Sequence, residues 1–148
     1  MSGLSAKGFF TPEQREEIRL AIKEAELDTS GEIRVHIESS CKGDVLDQAA
    51  WVFQELKMHE TAQRNGVLIY LALRNRKFAI IGDIGIHQKT GADFWDGIKH
   101  VMAGHFRENR FTEGLREAIR MAGQQLRTHF PYQRDDVNEL SDEISFGK

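Results

Sequence analysis

Three polar residues, Glu32, Asn65 and Asp83, carry side-chain oxygens that suit a hard cation. Calcium prefers several oxygen ligands, drawn from carboxylates, amide carbonyls and main-chain carbonyls. Each of the three residues adjoins a glycine, which lacks a side chain and lets main-chain oxygens approach an ion. These glycines are Gly31, Gly66 and Gly82. The same residues could instead cap turns and satisfy loop amides, so residue types and spacing leave both interpretations open.

A second set of residues, Arg64, His87 and Lys89, could receive a phosphate group. The amino end of the helix predicted after them would add free amides and partial positive charge, and Arg64 would add a fork of donors. A solvated loop of mixed charge is the alternative and the commoner case. A cation beside such an anion pocket would polarise phosphate and activate water, which is a plausible hydrolase arrangement.

Composition narrows the classes of function. The 148 residues suit one domain, and the net charge of −3 gives no general attraction to nucleic acid or anionic membrane. A single cysteine, Cys41, fits a reducing compartment. The first residues lack the pattern of a signal peptide, and no apolar run approaches the ~18 residues of a membrane helix. We therefore expect a cytoplasmic protein that binds no nucleic acid and does not insert into a membrane.

Helices are predicted from hydrophobic periodicity and capping residues. Thr11 can cap the first helix, with Gln14 completing a capping box. Asp44, Asp93 and Thr112 are predicted to cap three further helices. The segment Ile84 to Gly91 is expected to be irregular, which would leave His87 and Lys89 on a loop.

Three strands are predicted, over residues 32–38, 67–73 and 77–81. The first alternates apolar and polar residues, so Arg34 and His36 are expected on a solvated face. The histidine could titrate near neutral pH there, but such a residue is more often ordinary surface or packs under a helix. The second is apolar on both faces and is placed centrally, and the third returns from it as a hairpin.

The resulting order is α-β-α-β-β-α-α. A right-handed crossover makes the first two strands parallel, and helices can cover both faces, giving an α/β fold: a three-layer α/β/α sandwich with a small mixed sheet. In this topology the starts of the first two strands and the end of the third share one sheet edge. The three cation candidates should therefore lie near one another.

Several short motifs in this order resemble the TPM domain family, which includes small bacterial proteins and a thylakoid acid phosphatase. They are Phe10-Thr11-Pro12-Glu13-Gln14, Thr29-Ser30-Gly31-Glu32-Ile33, Asn65-Gly66-Val67-Leu68, Gly82-Asp83-Ile84-Gly85, Phe106, Phe111 and Gly114-Leu115. The resemblance covers residues 9–131, interpreted as a TPM-like domain, and leaves 132–148 as a polar, acidic C-terminal tail in which Ile144 and Phe146 are candidates for docking.

The resemblance implies an α/β/α sandwich with a loop-edge site for a divalent metal, often calcium. It also implies the phosphatase activity suggested for the plant relative. Many relatives look exported or membrane-tethered, whereas this sequence shows neither a signal nor an anchor.

Together these observations predict a binding module that holds a divalent cation, Ca²⁺ or alternatively Mg²⁺, through Glu32, Asn65 and Asp83 and contacts an unidentified protein partner. The alternative is a metal-assisted, acid-phosphatase-like hydrolase of low activity on phosphomonoesters. The binding module is preferred because the sequence shows no evident nucleophile and no matched acid/base pair. No catalytic residue is predicted.

Overall fold

The computed structural model describes residues 6–132 and 144–147. Its helices and strands are α1 (Ala6–Phe9), α2 (Pro12–Ala25), β1 (Glu32–Glu38), α3 (Val45–Glu55), a 3₁₀ turn (Met58–Glu60), β2 (Gly66–Ala72), β3 (Lys77–Gly82), α4 (Ile84–Thr90), α5 (Ala92–Arg107), α6 (Phe111–His129) and β4 (Ser145–Phe146). This mixed α/β architecture confirms the predicted sandwich and adds α1, α4 and β4 to the predicted elements.

The strands of the described residues form one mixed sheet in the order β3-β2-β1-β4. β1 pairs parallel to β2 with Glu32 opposite Gly66, and β2 pairs antiparallel to β3 with Val67 opposite Gly82. β4 adds two residues parallel to β1. The predicted strand directions are confirmed, and the loops before β1, before β2 and after β3 meet at one edge of the sheet.

Two hydrophobic cores lie on opposite faces of the sheet. The larger packs apolar residues of β1 and β2, such as Val35 and Ile69, against α1, α2, α5 and α6. The smaller packs Leu68 and Tyr70 against α3 and the 3₁₀ turn. β2 contributes to both cores and is fully buried, as its continuous apolar sequence predicts.

Capping residues explain where two helices begin. Thr11 and Gln14 form a reciprocal capping box at the start of α2, and the Asp44 side chain accepts hydrogen bonds from Leu46 N and Asp47 N at the start of α3. Both predicted caps are confirmed. Each supplies acceptors for main-chain N–H groups that the first helical turn leaves unpaired.

Two other predicted caps are wrong. α5 begins after Gly91, which places Asp93 inside the first turn, and α6 begins after Arg110, which places Thr112 inside that helix and buried. Neither helix has a side-chain cap hydrogen bond. The acid in the first turn of α5 still complements the positive end of the helix dipole, which is why its position resembled a cap in the sequence.

The segment expected to be irregular is helical. The Asp83 carboxylate accepts a hydrogen bond from Ile84 N, and α4 runs from there to Thr90. Ile86 is buried on its inner side. One capping aspartate and one buried anchor are enough to place a single short helix that periodicity alone does not reveal.

The solvated face predicted for β1 is also wrong, because Glu32 and His36 are both buried. Two neighbours cover the far end of this face. The Ser145 hydroxyl lies 2.7 Å from His36 Nδ1, and Gln48 of α3 donates to the Glu38 carboxylate at 3.0 Å. The C-terminal segment therefore lies beside a strand whose sequence suggests a half-exposed position, with Ser145 opposite His36. Ile144 and Phe146 of this segment pack against the larger core.

Candidate functional site

Main-chain hydrogen bonds join the loops at the sheet edge where the candidate residues meet. Glu32 N donates to Asn65 O at 3.4 Å, and Asp83 N donates to Gly66 O at 2.9 Å. These bonds extend the β1–β2 and β2–β3 ladders by one step. The three predicted cation residues are therefore positioned by adjacent strands, as the topology predicts.

Asn65 is the most constrained of the three, with 1% of its surface exposed. Its main-chain N–H donates to Thr61 Oγ1 at 3.2 Å, and its Nδ2 donates to Ser30 Oγ at 3.3 Å. Its Oδ1 is buried and has no hydrogen-bond partner. A buried carbonyl oxygen without a donor is unfavourable by roughly 1–3 kcal/mol, which makes this atom the clearest unsatisfied acceptor at the edge.

Asp83 and Arg64 form a bidentate ion pair beside Asn65. Arg64 Nε lies 2.7 Å from Asp83 Oδ2, and Arg64 Nη2 lies 2.9 Å from Oδ1. The aspartate side chain is 6% exposed, whereas the arginine side chain is 50% exposed. The hydrogen bond and charge of Asp83 raise the pKa of Arg64. The buried carboxylate thus holds an exposed guanidinium in a fixed orientation.

The main chain around this pair is tightly packed. Arg64 adopts a left-handed conformation with φ of 53°, which is uncommon for a residue with a side chain. Gly85 N, at the start of α4, donates to Arg64 O at 2.8 Å. A Cβ at Gly85 would lie 2.2 Å from Gln63 O, so only glycine allows this approach.

A cleft of about 460 Å³ opens beside the ion pair, between α3 and the end of β3. Its apolar side includes Phe53 and Ile81, and its polar side includes Arg64, Asp83 and His59. Sequence analysis missed His59 as a site residue. Nothing in the sequence around His59 indicates a site residue, because only the packing of α3 on β3 brings this histidine to the cleft.

The other two anion candidates lie farther along α4. His87 stacks against Trp95 of α5, with ring centroids 6.5 Å apart, and Lys89 is exposed in the last turn. The partner of the Arg64 side chain is Asp83. Helix formation over Ile84–Thr90 therefore replaces the loop on which His87 and Lys89 were expected to lie.

The oxygen-rich edge offers few protein charges to a metal ion. Within residues 6–132 and 144–147, no three or more histidine, cysteine, aspartate or glutamate side chains cluster as metal ligands. Asp83 is paired with Arg64, and Glu32 is buried. Any cation at this edge would depend on amide and main-chain oxygens as well as carboxylates, a donor set that suits calcium or magnesium rather than zinc.

A second polar cluster lies at the opposite end of β1, and sequence analysis missed it. The Glu38 carboxylate accepts a short hydrogen bond from the Tyr70 hydroxyl, and Glu38 Oε2 lies 3.5 Å from His36 Nε2. Burial lowers the pKa of His36 despite the opposing effect of Glu38, and burial together with Glu38 raises the pKa of Tyr70. The alternation of β1 indicated only that these residues share a face.

Comparison with known proteins identifies the family. The TPM domain family matches residues 5–125, which is most of the chain. The chain belongs to the TPM domain family. The family predicted from the short sequence motifs is therefore confirmed.

Solved structures that resemble this TPM domain include the following three. The NMR structure of BA42, from the psychrophilic bacterium Bizionia argentinensis, is 44% identical, with 94% of this chain and 96% of that chain covered and a TM-score of 0.88. An N-terminal domain from P. gingivalis is 21% identical, covering 86% of this chain and 84% of its own, with a TM-score of 0.69. An N-terminal domain from Corynebacterium glutamicum is 16% identical, covering 80% and 75%, with a TM-score of 0.65. The last two show a shared fold.

No curated protein matches this TPM domain. Among its described helices, none is long and apolar enough to cross a membrane. The cytoplasmic location and the lack of nucleic-acid binding stay predictions from the sequence.

Proposed function

We propose that this TPM domain is a non-catalytic binding module whose sheet-edge loops take a divalent cation, Ca²⁺ or alternatively Mg²⁺, through Glu32, Asn65 and Asp83. The observation that carries the proposal is the buried Oδ1 of Asn65, which has no hydrogen-bond donor. A cation at this oxygen would satisfy it. The residue lies on the loop whose main chain bonds to Glu32 N, so a carboxylate residue is adjacent.

The chemistry of the donors supports a hard cation. All three side chains offer oxygen, and none offers the nitrogen or sulfur typical of zinc sites. Both Asp83 oxygens accept hydrogen bonds from Arg64, so this carboxylate would have to give up at least one of them. The half-exposed arginine has room to turn toward solvent. When bound, the cation would supply positive charge that holds the three loops together.

Calorimetric titration tests this proposal. Calcium or magnesium chloride is titrated into the wild type, Glu32→Gln and Asp83→Asn, with Asp44→Asn as a matched control at a capping aspartate of α3. We expect saturable binding by the wild type and the control, and binding at least about tenfold weaker in the other two variants, since each loses a charged ligand. Circular dichroism establishes that every variant is folded. Equal binding by all four proteins would refute the assignment of these ligands.

A metal-assisted phosphatase is the second candidate, and one observation favours it. The guanidinium of Arg64 is half-exposed at an open cleft, where it could contact a phosphate group. The test is metal-dependent hydrolysis of p-nitrophenyl phosphate by the wild type and Asp83→Ala. Turnover that requires the cation and disappears in the variant would support the enzyme, whereas equal trace turnover in both would remove it.

A further inference from the structure

Within the described residues, no strand pairs with the outer edge of β3. Asp83 N donates to Gly66 O, so the hydrogen-bonded pairs of the β2–β3 ladder continue at Ile81 and every second residue before it. The N–H and C=O groups of the alternate residues therefore point away from β2. These residues are Phe78, Ile80 and Gly82.

This edge carries few of the features that protect exposed strands. Within the described residues β3 ends the sheet, and it contains neither proline nor a bulge. Its one charged residue is Lys77, at its first position. Natural edge strands are usually shortened, bent or charged along their length to prevent pairing with other chains. A regular six-residue edge is instead a template for strand addition.

The cleft at the end of β3 provides a specific anchor beside this edge. Ile81 and Phe53 form an apolar wall, and Gly82 brings main chain to the surface of the cleft. Arg64 uses Nε and Nη2 to contact Asp83, which leaves Nη1 and a second Nη2 hydrogen for another acceptor. A carboxylate is the acceptor that matches this planar set of donors.

Charge at the two ends of the edge favours an acidic peptide over a second copy of the domain. Arg74 and Arg76 are exposed at the hairpin beside Lys77, and Arg64 is half-exposed at the other end. Antiparallel pairing of two β3 strands would bring the arginines of one copy close to Arg64 of the other. Like charges at such short range oppose that pairing, whereas an acidic peptide would be attracted to both ends.

We propose that β3 accepts an extended peptide as an added strand, and that this peptide places a carboxylate on Arg64 in the cleft between α3 and β3. The carboxylate could belong to an acidic side chain or to a chain terminus. The proposal rests on the binding-module part of the proposed function and names the partner. Peptide binding at β3 does not require the cation, so a failure to bind the peptide and a failure to bind the cation can be distinguished.

The test uses arrays of random acidic octapeptides, made with either a free C-terminal carboxylate or a C-terminal amide. Peptides selected by the wild-type domain are labelled, and their affinities are measured by fluorescence polarisation in EDTA and again in calcium. We expect selected peptides to bind in EDTA, and Arg64→Gln to weaken their binding by about tenfold or more, since it removes a charge-assisted hydrogen bond. Arg120→Gln, at an equally exposed arginine on α6, is the matched control and should bind as the wild type does.

A second measurement tests strand pairing without changing the protein. Methylation of alternate peptide nitrogens should abolish binding when the modified groups face β3, and should have little effect when the pattern is shifted by one residue. If peptides are selected only from the array with a free C-terminal carboxylate, the carboxylate that binds Arg64 belongs to the chain terminus. If peptides are selected from both arrays, it belongs to an acidic side chain. The proposal is overturned if no peptide is selected, if Arg64→Gln binds as tightly as the wild type, if both methylation patterns behave alike, or if sedimentation shows a dimer that blocks the edge.

Discussion

Replacing Gly85 with alanine should destabilise the domain through the loop that supports the candidate site. The new Cβ would lie 2.2 Å from Gln63 O and 2.6 Å from Arg64 O, distances that real contacts do not reach. Both neighbours are main-chain atoms and cannot rotate away as a side chain would. The clash must therefore shift the start of α4 or the loop before β2.

The expected magnitude combines opposing effects. Overpacking of this kind costs ~1–3 kcal/mol, and weakening the 2.8 Å hydrogen bond from Gly85 N to Arg64 O adds ~0.5–1.5 kcal/mol. Alanine recovers up to ~1 kcal/mol because it restricts the unfolded chain and favours helix. The net loss in the free energy of unfolding is about 2 kcal/mol, or a fall of roughly 4–8 °C in Tm for a chain of this size.

Urea and thermal denaturation followed by circular dichroism provide the assay, with Gly97→Ala as the matched control. Gly97 lies within α5, and a Cβ there would meet no atom within 4 Å. This second substitution should stabilise the domain by roughly 0.5–1 kcal/mol, since it gains helix propensity without a clash. If both variants change stability in the same direction, the close approach at Gly85 is not the constraint described.

Two further predictions concern ionisable residues. Asp83→Ala should lower the free energy of unfolding by more than Asp44→Ala does. Each substitution removes a helix cap worth ~1 kcal/mol, but only Asp83 also pairs with Arg64. Equal losses of stability in urea denaturation would contradict a contribution from the ion pair. The pKa of His36 is lowered from 6.5 by burial, so the unfolded chain binds more protons below that pH. The contribution of His36 to the free energy of unfolding should be fully present above about pH 6.5 and should be lost as the pH falls from there through the lowered pKa. His36→Gln should remove this part of the decline in stability. A wild-type urea midpoint that rises on acidification over that range would contradict this prediction.

Much of the fold could be predicted because the sequence patterns are strong and local. The continuous apolar run of β2 indicates a central strand, and the capping box at Thr11 and the cap at Asp44 identify helix starts. Right-handed crossover then determines the parallel pair without any knowledge of tertiary contacts. The position of Glu32, Asn65 and Asp83 at one edge follows from this topology.

The features that escaped prediction depend on contacts between distant parts of the chain. His36 looks solvated because alternation in β1 cannot reveal that Ser145 lies beside it. α4 is seven residues long and has one buried apolar residue, which is too short for a periodic signal. Arg64, which pairs with Asp83, adopts a left-handed conformation. No residue type in that segment indicates this conformation, so the ion pair could not be predicted.

Calcium titration of the ¹⁵N-labelled domain, followed by amide chemical shifts, tests the central claim most directly. The proposal predicts that residues 28–32, 64–66 and 82–87 shift together with one dissociation constant, because one ion would contact all three loops. Shifts confined to the acidic residues 135–143, or separate constants for the three loops, would contradict a shared cation site at this edge of the sheet.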